Sequence, residues 1–207
     1  MADKKQMPVI ARALGAGWND LASVVRQHYA LTPGKVTTCT CVGIMDEIYH
    51  ARILKPFLWI GRLIGALIPY RGRNVPTTVR NWTTPDSDAM FWYRTFEFLG
   101  KRPIVFRSHM QHVENDEIVE YVRFGIGIRM RLSVNNAALL FEDRGYVWKL
   151  GPFLLRLPLG FLLGRARIVE TAVDDQTLAI EFDIQHPLFG RTFAYRGRFT
   201  LNTDGKK

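Results

Sequence analysis

Trp92, Arg94 and Phe96 occupy every second position of the segment Phe91-Trp92-Tyr93-Arg94-Thr95-Phe96. On a strand, that spacing puts all three side chains on one face. An arginine between two rings on an inward face needs a counter-charge, because an unpaired buried cation is costly. Glu120, Glu170 and Glu181 are the carboxylates available to it. Two readings follow. Arg94 is a structural group, paired with a carboxylate or stacked on Trp92, or it holds an anionic ligand inside a pocket.

Other residues carry weaker chemistry. Tyr195 and Gly197 share a face with Phe193 and Phe199 in the last alternating segment. Gly197 leaves room there for a ring or a ligand, with core packing as the plain alternative. Tyr195, His109 and Glu120 are the candidates for proton transfer. Trp92, Arg94, Phe96, Ser108, Arg123 and Tyr195 are the candidates for ligand binding. Phe57 and Trp59 are further wall candidates, and Arg196 a further cation. His109 and His112 are three apart on a strand, so they point to opposite faces and cannot chelate together. Ser108 beside His109 diverges from it for the same reason.

Familiar catalytic motifs are missing from the sequence. There is no Gly-x-Ser-x-Gly elbow, no Walker loop and no Gly-x-Gly-x-x-Gly after a strand. Cys39 and Cys41 point to the same strand face at a spacing poor for a disulfide. As metal ligands they need two further partners, which no nearby motif supplies. They read as reduced structural thiols, so no metal and no cofactor is expected. Reduced thiols, and a polar Met1–Gln6 with no apolar signal core behind it, point to a cytoplasmic protein.

The chain has 207 residues, 47% of them hydrophobic and 12% aromatic, which suits one packed domain over 1–207 without a staple. Its net charge is +9, from 28 basic and 19 acidic residues. The arginines are scattered one per strand or loop rather than run together. That distribution argues against nucleic acid, with no helix-turn-helix, zinc finger or RNA-binding signature beside it. An anionic membrane surface stays open as a partner.

The elements that must position these residues fall into three zones. A helical segment covers about 10–30, where Leu21, Val24, Val25 and His28 recur at helical spacing. After a strand over Val36–Ile44, an apolar helix covers about 53–69, from Ile53 to the closing Pro69. It is too short and too charged, with Lys55 and Arg62, to span a membrane. From 75 to 201 apolar and polar residues alternate almost without a break, cut by turns into successive strands, and the sheet is expected to have roughly nine strands. Helices do not alternate with strands, so a parallel sheet is excluded. The expected class is α+β: a strongly curved, mostly antiparallel sheet, a partly closed barrel, wrapping the apolar helix. A sheet of that size curls and encloses space.

Several landmarks stand in a fixed order. Leu67-Ile68-Pro69 closes the apolar helix. Trp92, Arg94 and Phe96 follow, then Phe106 and Ser108, then Glu120 and Gly125. Leu157-Pro158 and Glu170 come next, and Pro187, Gly190, Tyr195 and Gly197 end the series. In this order the chain resembles the bacterial family catalogued as domain of unknown function 4166, over roughly Leu14 to Leu201. It departs from the family pattern where Tyr121-Val122-Arg123-Phe124 separate Glu120 from its glycine. The resemblance implies no activity. It implies frequent company with short-chain dehydrogenase or saccharopine-dehydrogenase-like domains, and so a separate oxidoreductase as a partner of this chain.

The functional expectation is a binding domain for an apolar or amphipathic, lipid-like small molecule with an anionic group held by Arg94. The alternatives are an enzyme or oxidoreductase accessory in secondary or lipid metabolism, and a module peripheral to the membrane that uses the apolar helix and the Arg71–Arg73 loop.

Overall fold

The computed structural model describes residues 6–63 and 68–202. Helices α1 (Val9–Leu14) and α2 (Ser23–Tyr29) precede strand β1 (Thr38–His50), and α3 (Lys55–Leu63) precedes β2 (Gly72–Trp82). A run of strands follows: β3 (Met90–Phe96), β4 (Ile104–Glu114), β5 (Glu117–Tyr121), β6 (Ile126–Asn135), β7 (Ala138–Leu150) and β8 (Phe153–Leu157). After the short α4 (Gly160–Leu163) come β9 (Arg165–Ala172), β10 (Thr177–His186) and β11 (Gly190–Asn202).

The strands form one antiparallel sheet in the order β6-β5-β4-β3-β2-β1-β11-β10-β9-β7-β8, and β6 also pairs with β7. That pairing closes ten strands into a ring, with β8 attached outside it to the far half of β7. The class is the expected α+β one, with the curved sheet fully closed. Closure removes the free edges that an open sheet of these ten strands would present, while β8 keeps one free edge outside the ring.

Period-two patterning decides what faces inward. Met90, Trp92, Arg94 and Phe96 point into the barrel from β3, as do Phe193, Tyr195 and Phe199 from β11. Thr78, Arg80, Glu181 and Arg198 stand on the outer faces. Two glycines let β1 and β11 cross closely. A Cβ on Gly43 would sit 1.9 Å from the Arg198 carbonyl oxygen, and one on Gly197 would sit 2.7 Å from that of Ile44. The register between these strands shifts between Met45 and Glu47, a bulge that bends the wall. At the β6–β7 hairpin, Asn136 and Ala137 both take positive φ, the backbone of a tight primed turn.

The two ends of the barrel differ. Helices α1 and α2 close the end where β1 begins, burying Val9, Ile10, Val24, Val25 and Tyr29 against β4, β6, β9 and β10. The opposite end carries α3, α4 and the turns that follow β3, β5, β7 and β10.

Some elements depart from expectation. The sheet has eleven strands rather than about nine. Arg144-Gly145 forms a bulge inside a continuous β7, because β6 pairs on both sides of it. Phe153–Leu157 adds a strand of its own, and the short helix Gly160–Leu163 follows it. The apolar helix sits at the second end of the barrel. Its Leu54 and Leu58 sides are buried while Lys55, Pro56 and Trp59 are exposed. The barrel instead takes in the N-terminal helices, whose two short apolar faces fit the closed end. Residues 64–67 of the expected helix lie outside the described residues.

Candidate functional site

The barrel encloses a cavity of about 220 Å³. Its wall runs from His28 and Tyr29 at the closed end to Ile68, Leu159 and Leu163 at the other. Most of the lining is aliphatic or aromatic, supplied by inward positions of nine of the ten ring strands together with α2, and it includes Val79, Met130, Phe141, Ile180 and Phe182. Ten strands leave more interior than eight, whose side chains alone fill a barrel or leave room for one small ligand. The α1–α2 segment takes part of that space and the cavity is the remainder.

A few polar groups interrupt the apolar wall. Arg94 donates to Glu120 Oε1 at 2.8 Å and to Ser108 Oγ at 3.2 Å, and Ser108 Oγ donates to the same Glu120 oxygen at 2.6 Å. The guanidinium carbon lies 4.2 Å from the Trp92 ring centre and 5.2 Å from that of Phe106. Burial alone would pull the Arg94 pKa down. Glu120, with Tyr195 beside it, more than offsets that, so the group stays charged. Adjacent strands build this triad by register: Trp92 pairs with Ser108, and Met110 with Glu120.

A second polar group lies deeper. Tyr29 donates its hydroxyl proton to Glu170 Oε1 at 2.9 Å, across 141 residues of sequence. Glu170 is buried and its Oε2 has no partner. Burial raises its pKa, against the opposing pull of His28, Tyr29 and Arg94. Burial also pushes the Tyr195 hydroxyl well up. That hydroxyl makes no hydrogen bond among the described residues, although Tyr195 lines the cavity.

Near the closed end, His28 Nδ1 lies 3.2 Å from Cys41 Sγ and 4.0 Å from Cys39 Sγ, and the two sulfurs are 4.0 Å apart. Asn81 Nδ2 lies 3.2 Å from His28 Nε2. The two thiols are coupled. Cys39 is held below the usual thiol range by its hydrogen bond with Cys41, while Cys41 is pushed up by that same bond and by burial.

A family model described as a domain of unknown function (DUF4166) matches residues 21–199. The chain belongs to this family. No curated protein matches it. The matched span takes in α2, strands β1 to β10 and β11 as far as Phe199, so the cavity wall and all three polar groups fall within the family domain.

Within the DUF4166 barrel the expected site residues divide. Trp92, Arg94, Phe96, Glu120 and Tyr195 are brought together on the cavity wall, and Ser108 stands behind them, bonded to Arg94 and Glu120. His109 lies on the outer face, stacked between Phe91 and Tyr121 with ring centres 5.9 and 5.3 Å away. It is therefore placed away from any chemistry in the cavity, as its odd-numbered neighbours on β4 are. Arg123 is exposed in the turn Arg123–Gly125, and Arg196 faces outward, opposite in sense to Tyr195. Trp59 is half exposed on α3, and Phe57 packs against the core without lining the cavity. Of the three carboxylates offered to Arg94, Glu120 takes it. Glu170 lies deeper on the same wall and Glu181 is outside. Tyr29 and His28 are the cavity residues that strand reading missed, because they arrive from a helix far away in sequence.

Proposed function

We propose that this DUF4166 barrel binds a compact, mainly apolar small molecule that carries one polar group. The observation that carries the reading is the cavity itself: about 220 Å³ of space bounded by apolar side chains, with the Tyr195 hydroxyl, which makes no hydrogen bond among the described residues, on its wall. An engineered apolar cavity of about 150 Å³ is enough to bind benzene. The space here accepts a somewhat larger molecule, such as a two-ring compound or a medium-length alkyl chain. Arg94 is already neutralised by Glu120 at 2.8 Å. This supports a neutral hydroxyl or carbonyl on the ligand more than the anionic group expected from the isolated arginine. Tyr195 is placed to bond that polar group.

Native mass spectrometry of the purified protein, followed by denaturing extraction, tests this reading. A discrete co-purifying mass below the size limit of the cavity is the expected result. A clean apo mass, with no uptake from a library of small apolar alcohols and ketones, would overturn it.

A second reading, attachment to an anionic membrane surface, is favoured by one feature. The end of the barrel opposite α1 and α2 is ringed by exposed apolar side chains, among them Phe124, Phe153, Phe161 and Leu188. Arg102, Arg123, Arg156 and Arg165 stand among them. Exposed apolar clusters of this kind mark interaction surfaces, and added cations favour anionic headgroups. Arg71 is bonded to the His50 carbonyl oxygen and Arg73 faces Glu47. The two readings are compatible, because a mouth on the bilayer is a route for an apolar ligand.

A further inference from the structure

The sequence offers two thiols on one strand face and no third ligand near them. The fold supplies one. His28, in the last turn of α2, brings Nδ1 to 3.2 Å from Cys41 Sγ and 4.0 Å from Cys39 Sγ, with 4.0 Å between the sulfurs. The point equidistant from these three atoms lies about 2.2 Å from each, within the 2.0–2.3 Å at which zinc binds imidazole nitrogen and thiolate sulfur. We propose that His28, Cys39 and Cys41 form a binding site for a thiophilic divalent ion of the zinc type, at the closed end of the cavity.

Two further points support a metal over a plain buried thiol pair. Asn81 lies against His28 Nε2 at 3.2 Å and is wholly buried, with its Oδ1 unpartnered. Half a turn of this carboxamide makes Oδ1 the acceptor of Nε2–H. The Nδ1 lone pair then points at the thiols, which is the outer-shell arrangement that orients ligating histidines. Two thiolates also balance a divalent charge, so the assembled site can be buried without a net charge.

The set has three protein ligands, as open catalytic zinc sites do, rather than the four of a closed structural site. His28 and Cys41 both line the cavity, so the fourth position is turned towards it. Water or a polar atom of a bound molecule completes the shell there. The ion's soft thiolate ligands select zinc-type metals over magnesium or calcium. This inference is independent of the small-molecule reading: an ion can bind here with the cavity otherwise empty, and an apolar ligand can bind without an ion.

Cobalt titration of the full chain, reduced and stripped of metal, tests the site. Tetrahedral Co²⁺ on thiolates shows sulfur-to-metal charge-transfer and d–d bands. The expected result is bands that saturate at one equivalent per chain and are bleached by Zn²⁺. Cys41 is fully buried, so its replacement risks the fold. Cys39, which is half buried, carries the test. Cys39→Ser should remove roughly half of the charge-transfer intensity, one thiolate of two, and weaken binding. Asn81→Ser should weaken binding by roughly 10- to 100-fold and leave the thiolate bands in place. Absence of charge-transfer bands at one equivalent, or bands undiminished in Cys39→Ser, would overturn the proposal.

Discussion

Arg94 and Glu120, on β3 and β5, face each other at 2.8 Å inside the barrel, and Ser108 on the intervening strand bonds to both. The relationship fixes the character of the cavity. A cation that would otherwise recruit an anion from outside is satisfied by the protein. Breaking a buried pair by removing one partner leaves an uncompensated charge and costs about 3–5 kcal/mol, whereas replacing both partners by apolar groups of similar volume is often neutral. Glu120→Ala is therefore expected to destabilise the fold by roughly that amount in urea denaturation, and Arg94→Met/Glu120→Leu to recover most of it. Equal losses for the single and the double variant would mean that the pair does not act as a unit.

The buried carboxyl of Glu170 sets a pH dependence. Its pKa is raised from 4.5 by burial, so the folded state holds the proton more tightly than the unfolded chain. Its contribution to stability is complete below the unfolded value and is lost as pH rises through the folded one. Glu170→Gln cannot titrate. The unfolding free energy of this variant relative to the native sequence should therefore grow as pH rises above 4.5, then level off. Parallel stability–pH curves for the two proteins would contradict this.

Tyr195 is expected to matter for binding and little for folding. Its hydroxyl has no partner among the described residues, so Tyr195→Phe removes no internal hydrogen bond. Thermal unfolding should be unchanged within about 0.5 kcal/mol. Affinity for a ligand with a hydroxyl or carbonyl should fall by about 0.5–1.5 kcal/mol, roughly 2- to 12-fold. Purely apolar ligands should bind both forms alike.

The exposed rim has its own test. Phe153 and Phe161 are 70% and 89% exposed, so replacing both with Asp should leave stability nearly unchanged. Sedimentation with phosphatidylserine vesicles should drop sharply in that variant, and binding of the native sequence should weaken with salt. Equal sedimentation of the two proteins would remove the rim from any membrane contact.

Much of this arrangement was legible in local patterning. The spacing of Trp92, Arg94 and Phe96, and of Phe193 and Tyr195, is a period-two signal, and the barrel turns those faces inward as expected. Arg94's need for a counter-charge was legible too, but choosing Glu120 over an anionic ligand, and over Glu170 and Glu181, required the strand register. His109 sits next to the inward Ser108, and one residue of offset is enough to put it outside. Trp59 is a wall candidate in the sequence because the apolar helix is expected inside the sheet, and Arg123 a candidate as an isolated arginine, yet both are exposed at the open end of the barrel. The groups that strand reading missed come from tertiary docking. His28 meets Cys41 and Tyr29 meets Glu170 because α2 caps the barrel, and nothing within α2 announces either contact. For the same reason Cys-Thr-Cys read as two thiols with no neighbouring donor, although His28 reaches them from a helix eleven residues before Cys39.

Calorimetric titration with a homologous series of straight-chain alcohols tests the binding account most directly. If the cavity is a ligand site, affinity should rise by about 0.8 kcal/mol per added methylene until the space is full, then stop rising. Ile180→Trp, which fills the wall from β10, should lower that limit, and alkyl sulfates of matching length should bind more weakly than the alcohols. No saturable binding, or a series indifferent to Ile180→Trp, would contradict a ligand-binding barrel.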